Sequence, residues 1–338
     1  MNLTIYDISQ KAGVSIATVS RVLNGSDKVS EKTRQKVLSI MDEYHYKPNA
    51  FARGLGLNSM QTIGILCADS SDIYLSKAVY YLESKLQANG YHCLLCCTGY
   101  SREGRQASMQ LLLNRKVDAV ILAGSSFVSN QAEENAYLFE AASHIPVMIL
   151  NAELQHPGIY CTLCDDAHSI YTAAKTMLTS GRDRLLYLNN SRSYSALRKL
   201  DGWEKAMKES EHTTTSSVLY CPVAHDDMEE MCVFLESNAS LLLSYNGIIC
   251  ANDALAVAVV KFARKYHLNI PEDLAVIGYN NSLLATCCEP ELTSVDNHLA
   301  QLCDQLVQNL FAVMNKENVP PVSVYYGELV KRNSFTDF

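Results

Sequence analysis

A chain of 338 residues with a formal net charge of −8 has room for a small module and a two-part globular core. The charge is uneven: residues 1–60 hold eight Lys/Arg against five Asp/Glu, a surplus of +3 that leaves −11 on the remainder. No run of 18 apolar residues occurs, and the polar, helix-forming first residues do not read as a secretion signal. These features argue against a membrane span or an exported disulfide scaffold. The twelve cysteines are then expected to be reduced thiols in a cytoplasmic protein.

The first elements are short helices. Thr4-Ile-Tyr-Asp7 has the spacing of a capping box, so a helix is predicted from Thr4 to about Ala12, stopped by Gly13. Ser15 caps a second helix, 16–23, that ends at Asn24-Gly25. A third, from Ser30 to about Tyr44, carries Val37, Ile40, Met41 and Tyr44 at helical spacing. Two short helices joined by a glycine turn form a helix-turn-helix, whose second helix enters the DNA major groove. The local positive charge fits a phosphate backbone.

The run from Ile5 to Gly25, with Tyr46-Lys-Pro-Asn-Ala-Phe-Ala-Arg-Gly-Leu55, resembles the headpiece of the lactose/galactose repressor family; residues 63–338 follow the family's pattern as well. The resemblance places Ile16, Ala17 and Arg21 against base edges. There a guanidinium can donate twice to guanine, and Ile16 and Ala17 can pack on thymine methyls. Thr4, Ser15, Thr18, Ser20, Asn24 and Tyr46 are the expected backbone contacts, while Val19, Val22 and Leu23 face the headpiece core.

Residues 47–61 read as a linker. Its segment 49–56 is a marginal helix former, since Gly54 and Gly56 each cost about 1 kcal/mol relative to alanine. Such a segment is expected to order only on DNA, with Asn49, Ala52, Arg53 and Leu55 at the minor groove and Leu55 wedged into a base step.

From Thr62 onward, strand-like runs alternate with helical ones, ten strands being recognisable. This pattern implies parallel sheets covered by helices. The expected fold is α/β: a lambda-repressor-like helix-turn-helix headpiece (1–46), a hinge (47–61) and a two-lobed, periplasmic-binding-protein-like core (62–338). The resemblance implies three chain crossings, with lobe 1 at about 62–159 plus 294–322 and lobe 2 at about 160–293 plus 323–338. An effector is then expected in the cleft between the lobes, at strand carboxyl ends. Asp69, Ser70, Asp72 and Tyr74 face it from the first lobe, and Asn189, Asn190, Ser193, Ser195, Lys199, Asn252, Asp253 and Asn280 from the second, with Trp203 or Tyr74 as an apolar face. The segment Ser193–Trp203 resembles the family's effector segment, but Lys199 stands at an arginine position and Asn280 at an aspartate position. Relative to the family pattern the cleft loses a negative charge and keeps a positive one, which predicts a preference for an anionic or acceptor-rich ligand.

Enzyme motifs are missing: there is no Walker loop, nucleophile elbow or His-Glu-x-x-His. Cys93-x-x-Cys96 and Cys161-x-x-Cys164 lie in or beside strands, where i and i+3 face opposite sides and do not share one metal. Asp165-Asp166 is expected to serve a helix N-terminus. The chain is therefore read as a non-enzymatic, cofactor-free transcriptional regulator of the nucleoid, most simply a repressor. Its expected partners are a pseudo-palindromic double-stranded operator, a second copy of itself and a carbohydrate-like effector. The alternatives are a catabolite-control type with a protein co-effector, or a solute-binding protein.

Overall fold

The computed structural model describes residues 3–23, 25–46, 59–210, 215–223 and 227–336. The headpiece begins with α1 (Ile5–Ala12). The Thr4 hydroxyl accepts from the Asp7 amide at 3.4 Å, and the Asp7 carboxylate accepts from the Thr4 amide at 2.7 Å. Two otherwise orphaned donors are thereby satisfied. Gly13 closes the helix at φ 64°, a left-handed conformation that glycine adopts without a Cβ clash. Next comes α2 (Ile16–Leu23), where the Ser15 hydroxyl accepts from the Thr18 amide at 3.2 Å, and then α3 (Glu31–Glu43), capped by Ser30. Ile8, Ala12, Val19, Val22, Val37 and Met41 form the small buried core that fixes the three helices.

Two six-stranded sheets follow. The first has the order β11-β5-β4-β3-β1-β2, all parallel, from β1 (Thr62–Cys67), β2 (His92–Cys97), β3 (Ala119–Ala123), β4 (Val147–Leu150), β5 (Ile159–Cys164) and β11 (Val322–Tyr325). Alternate residues of its central strands serve opposite cores. Ala119, Ile121 and Ala123 pack under α4 (Ile73–Ala88) and α13 (Leu299–Met314), whereas Val120 and Leu122 pack under α5 (Arg102–Asn114) and α6 (Ala136–Ala142). Burial on both faces explains why these strands read as unbroken apolar runs.

The second sheet has the order β12-β10-β9-β8-β6-β7. Its strands are β6 (Arg184–Asn189), β7 (Thr215–Tyr220), β8 (Gly247–Cys250), β9 (Ala275–Tyr279), β10 (Thr293–Asp296) and β12 (Glu328–Val330), the last antiparallel to β10. Around it lie α7 (Asp166–Thr179), α8 (Tyr194–Lys208), α9 (Met228–Ser237), α10 (Ala239–Leu242), α11 (Asp253–Lys265) and α12 (Leu283–Thr286).

The chain passes between sheets after β5, after β10 and after β11, which corrects the expected lobe limits. β5 pairs with β4 and β11, so lobe 1 reaches Cys164 instead of 159. β10 pairs with β9 and β12, so residues 293–296 belong to lobe 2; β11 returns residues 322–325 to lobe 1. Strand ends were visible in the residue pattern, but pairing partners were not.

Candidate DNA-reading surface and effector cleft

On α2 the buried residues Val19 and Val22 turn inward and leave Ile16, Ala17 and Arg21 exposed, with Ile16 at 38%. The intended base readers therefore share the outward side of the helix. Ser15 and Thr18 are engaged with each other, their hydroxyl oxygens 2.9 Å apart, as part of the cap. Thr4 is likewise the α1 cap, and Tyr46 packs partly buried against the headpiece core, which pushes its phenol up from the ordinary range. Ser20 is half-buried. Asn24, Asn49, Ala52, Arg53 and Leu55 lie outside the described residues.

Between the lobes is a cleft of about 440 Å³, within the range of small-molecule pockets. The first lobe supplies its wall from the β1–α4 loop, the start of α4, and the ends of β3 and β4. The second supplies the ends of β6, β8 and β9 and the first turns of α8 and α11. Tyr74, Ser193, Ser195, Lys199, Asn252 and Asn280 all line it, as expected. Asp69 and Ser70 are not among the lining residues. The Asp69 carboxylate folds back to accept from the Ser71 amide and hydroxyl at 2.8 and 2.7 Å, and Ser71 lines the cleft beside Asp72. Trp203 is also elsewhere: it is buried against Tyr187, ring centres 5.6 Å apart. Ile73, Tyr74, Leu75, Tyr100 and Leu284 provide the apolar lining instead.

Most polar groups of the cleft are held by neighbours. Asn252 caps α11, accepting from the Leu255 amide, and donates to Asn190 at 2.9 Å. Asn280, at φ 93°, accepts from Asn297, whose amide nitrogen also lies 3.2 Å from the Tyr74 hydroxyl. Asn297 stands at the second crossing, so this chain of amides ties the two lobes together. Ser125 makes another tie, donating to Ser193 at 3.0 Å. Gly278 is obligatory beside this site, because a Cβ there would run into the Asp253 carboxylate.

Lys199, expected to give the cleft its preference for an anionic ligand, is held by the protein itself. Its ammonium donates to the Ala251 carbonyl at 3.0 Å and lies 3.6 Å from the centre of the Tyr279 ring. Asp166, 3% exposed, accepts from the Tyr279 hydroxyl. Burial pushes the Asp166 carboxyl up and the Lys199 ammonium down, while each charge opposes the other's shift. The ammonium and the carboxylate thus lie on the ring face and the hydroxyl of the same tyrosine. Asp72 and Asp253 add two carboxylates to the lining. Sequence reasoning missed Asp166 and Tyr279, and it also missed Gly124, Ser125, Ser126 and Asn151. The last four follow directly after β3 and β4, so the strand-end rule applied to the first lobe would have found them.

The twelve cysteines are free thiols. Burial pushes Cys161 and Cys164 up to about 11, and Cys303 up to about 12.

A helix-turn-helix with an exposed, arginine-bearing second helix, joined in sequence to a two-lobed core with a polar cleft, defines a DNA-binding regulator of the ligand-responsive class. Comparison with known proteins agrees. Residues 4–49 match the model of bacterial regulatory proteins of the lacI family, and residues 174–335 match the periplasmic binding protein-like domain. An HTH-type transcriptional regulator of Lachnoclostridium phytofermentans is 48% identical over 98% of this chain and 99% of its own length. The HTH-type transcriptional regulator DegA of Bacillus subtilis is 29% identical over 89% and 88%. Among solved structures, the lac repressor dimer bound to operator and the anti-inducer ONPF shares the fold, with TM-score 0.84, 23% identity and 99% coverage of both chains. The chain belongs to the lacI family: it is a DNA-binding regulator of transcription and not an enzyme.

Proposed function

We propose that this regulator is a repressor that holds a pseudo-palindromic operator as a homodimer in the cytoplasm, on the nucleoid. Its effector is an uncharged, hydroxyl-rich small molecule, a sugar or sugar-like compound, bound between the lobes. The observation that carries this reading is the cleft itself: about 440 Å³, lined by amides, hydroxyls and a few apolar side chains, with the Lys199 ammonium donating to the Ala251 carbonyl. Paired donors and acceptors suit a polyol, and Tyr74 and Tyr100 offer faces for its C–H surface.

On the DNA side, Arg21 reads guanine, with Ile16 and Ala17 beside it, while Ser20 and Asn24 contact phosphates. Asn49, Ala52, Arg53 and Leu55 of the linker lie at the minor groove. Two copies on one duplex present two recognition helices a helical turn apart, and the lac repressor bound to its operator as a dimer supports that arrangement.

The test has two arms. Selection of binding sites from random DNA should return an inverted repeat; a single unrepeated motif contradicts the homodimer. A thermal-shift screen of neutral sugars, nucleosides and amino acids should pick out a neutral sugar. A response confined to charged or apolar compounds contradicts the effector class.

A further inference from the structure

The floor of the cleft is built around two buried charges that meet the same tyrosine. Lys199 projects from α8 with 7% of its surface exposed, and its ammonium is committed to the Ala251 carbonyl and the Tyr279 ring face. Asp166 begins α7 just after the first crossing between lobes, and it is held by Tyr279. The ammonium over the ring face and the carboxylate on the hydroxyl share one buried tyrosine, Tyr279, and their charges attract where water is excluded. Asp253, the other buried carboxylate of the cleft, is engaged elsewhere. Its oxygens accept from the Ser282 amide and the Ser294 hydroxyl, both at 2.6 Å. Asp166 is thus the carboxylate that shares Tyr279 with Lys199.

We propose that Asp166 determines the charge class of the ligand: with its carboxylate sharing Tyr279 with Lys199, the cleft accepts uncharged polyols and rejects the acids derived from them. This inference rests on the reading of the cleft as the effector site. The carboxylate of an acidic sugar would meet an ammonium already held by the Ala251 carbonyl and the Tyr279 ring, and would face Asp72 and Asp253 on the same walls. In an Asp166→Asn variant the amide still offers Tyr279 a partner. Lys199 is then left with an uncompensated charge that a ligand carboxylate can take up.

The experiment uses the full chain and a panel of neutral sugars, each paired with its own uronic or aldonic acid: glucose with glucuronate, galactose with galacturonate, xylose with xylonate. Wild type should be stabilised by a neutral member and not by its acid. Asp166→Asn should raise acid binding relative to the neutral partner by roughly tenfold or more. An acid that binds wild type as well as its neutral parent overturns the inference, and so does an unchanged ratio in Asp166→Asn. Wild type responding to no member overturns the effector class itself, and this inference with it. Should Asp166→Asn not fold, Asp166→Glu keeps the negative charge beneath the cleft and should go on rejecting the acid; a folded Asp166→Glu that binds the acid as well as its neutral partner contradicts the assignment.

Discussion

Lys199 and Asp166 each sit where the other's removal leaves a buried charge alone. Lys199→Met should therefore cost the full chain about 3–5 kcal/mol of second-lobe stability, far above a surface substitution. Urea unfolding followed through Trp203, stacked on Tyr187 in the same lobe, measures it; a loss below about 1 kcal/mol would show that the pair is not tightly held. At the other end of the chain, Arg21→Ala should cost roughly 1–3 kcal/mol per half-site and erase the preference for operator over random DNA. An unchanged ratio of the two affinities would mean that Arg21 reads no base. The sequence and the structure part company at this scale over Asp165 and Asp166. Both read as acids at a helix N-terminus, and Asp165 behaves so, accepting from the His168 amide at 2.9 Å. Asp166 is turned one position further around the helix and meets Tyr279, 113 residues away in the chain. Nothing local to the Asp-Asp pair encodes that partner.

Helix caps are the element-scale devices that hold the headpiece. Thr4→Ala removes an acceptor from the first turn of α1, and amide exchange of residues 3–23 should speed up on the order of fivefold. The Thr4 amide holds the Asp7 carboxyl below its ordinary value. A depressed folded pKa stabilises fully above the unfolded value near ~3.9 and is lost as pH falls through the folded one. Protection of α1 should therefore drop on acidification below about pH 4, and Asp7→Asn should remove this pH dependence. Exchange rates equal in wild type and Thr4→Ala would deny the cap its role. The capping box, the glycine stop and the buried stripe of Val37 and Met41 were all legible because each is local. Central strands such as β3 and β4 were legible because burial on two faces demands continuous apolar residues. Residues 293–296 and 328–330 went unread as strands. Thr293 and Ser294 are buried hydroxyl residues whose place depends on distant partners: the Thr293 hydroxyl accepts from the Arg332 amide at 2.8 Å, and Ser294 donates to Asp253.

Across the whole molecule, the positive surplus of residues 1–60 on a chain of net charge −8 predicts that operator affinity falls steeply with salt. A flat dependence between low and physiological salt would remove phosphate contacts from the account. Under the proposed function, the cleft and the DNA-reading helix are coupled sites of one regulator. The lobes are tied across the cleft by Ser125–Ser193 and by Tyr74–Asn297–Asn280, so a ligand entering there must rearrange or reinforce inter-lobe contacts. Coupling is reciprocal: whatever factor the ligand imposes on operator affinity, the operator imposes on ligand affinity. The most direct measurement is the dissociation constant of the sugar selected by the panel, taken with and without saturating operator. The two values should differ by at least about fivefold and match the sugar's effect on operator binding. Identical ligand affinities in the free and DNA-bound protein would contradict the account.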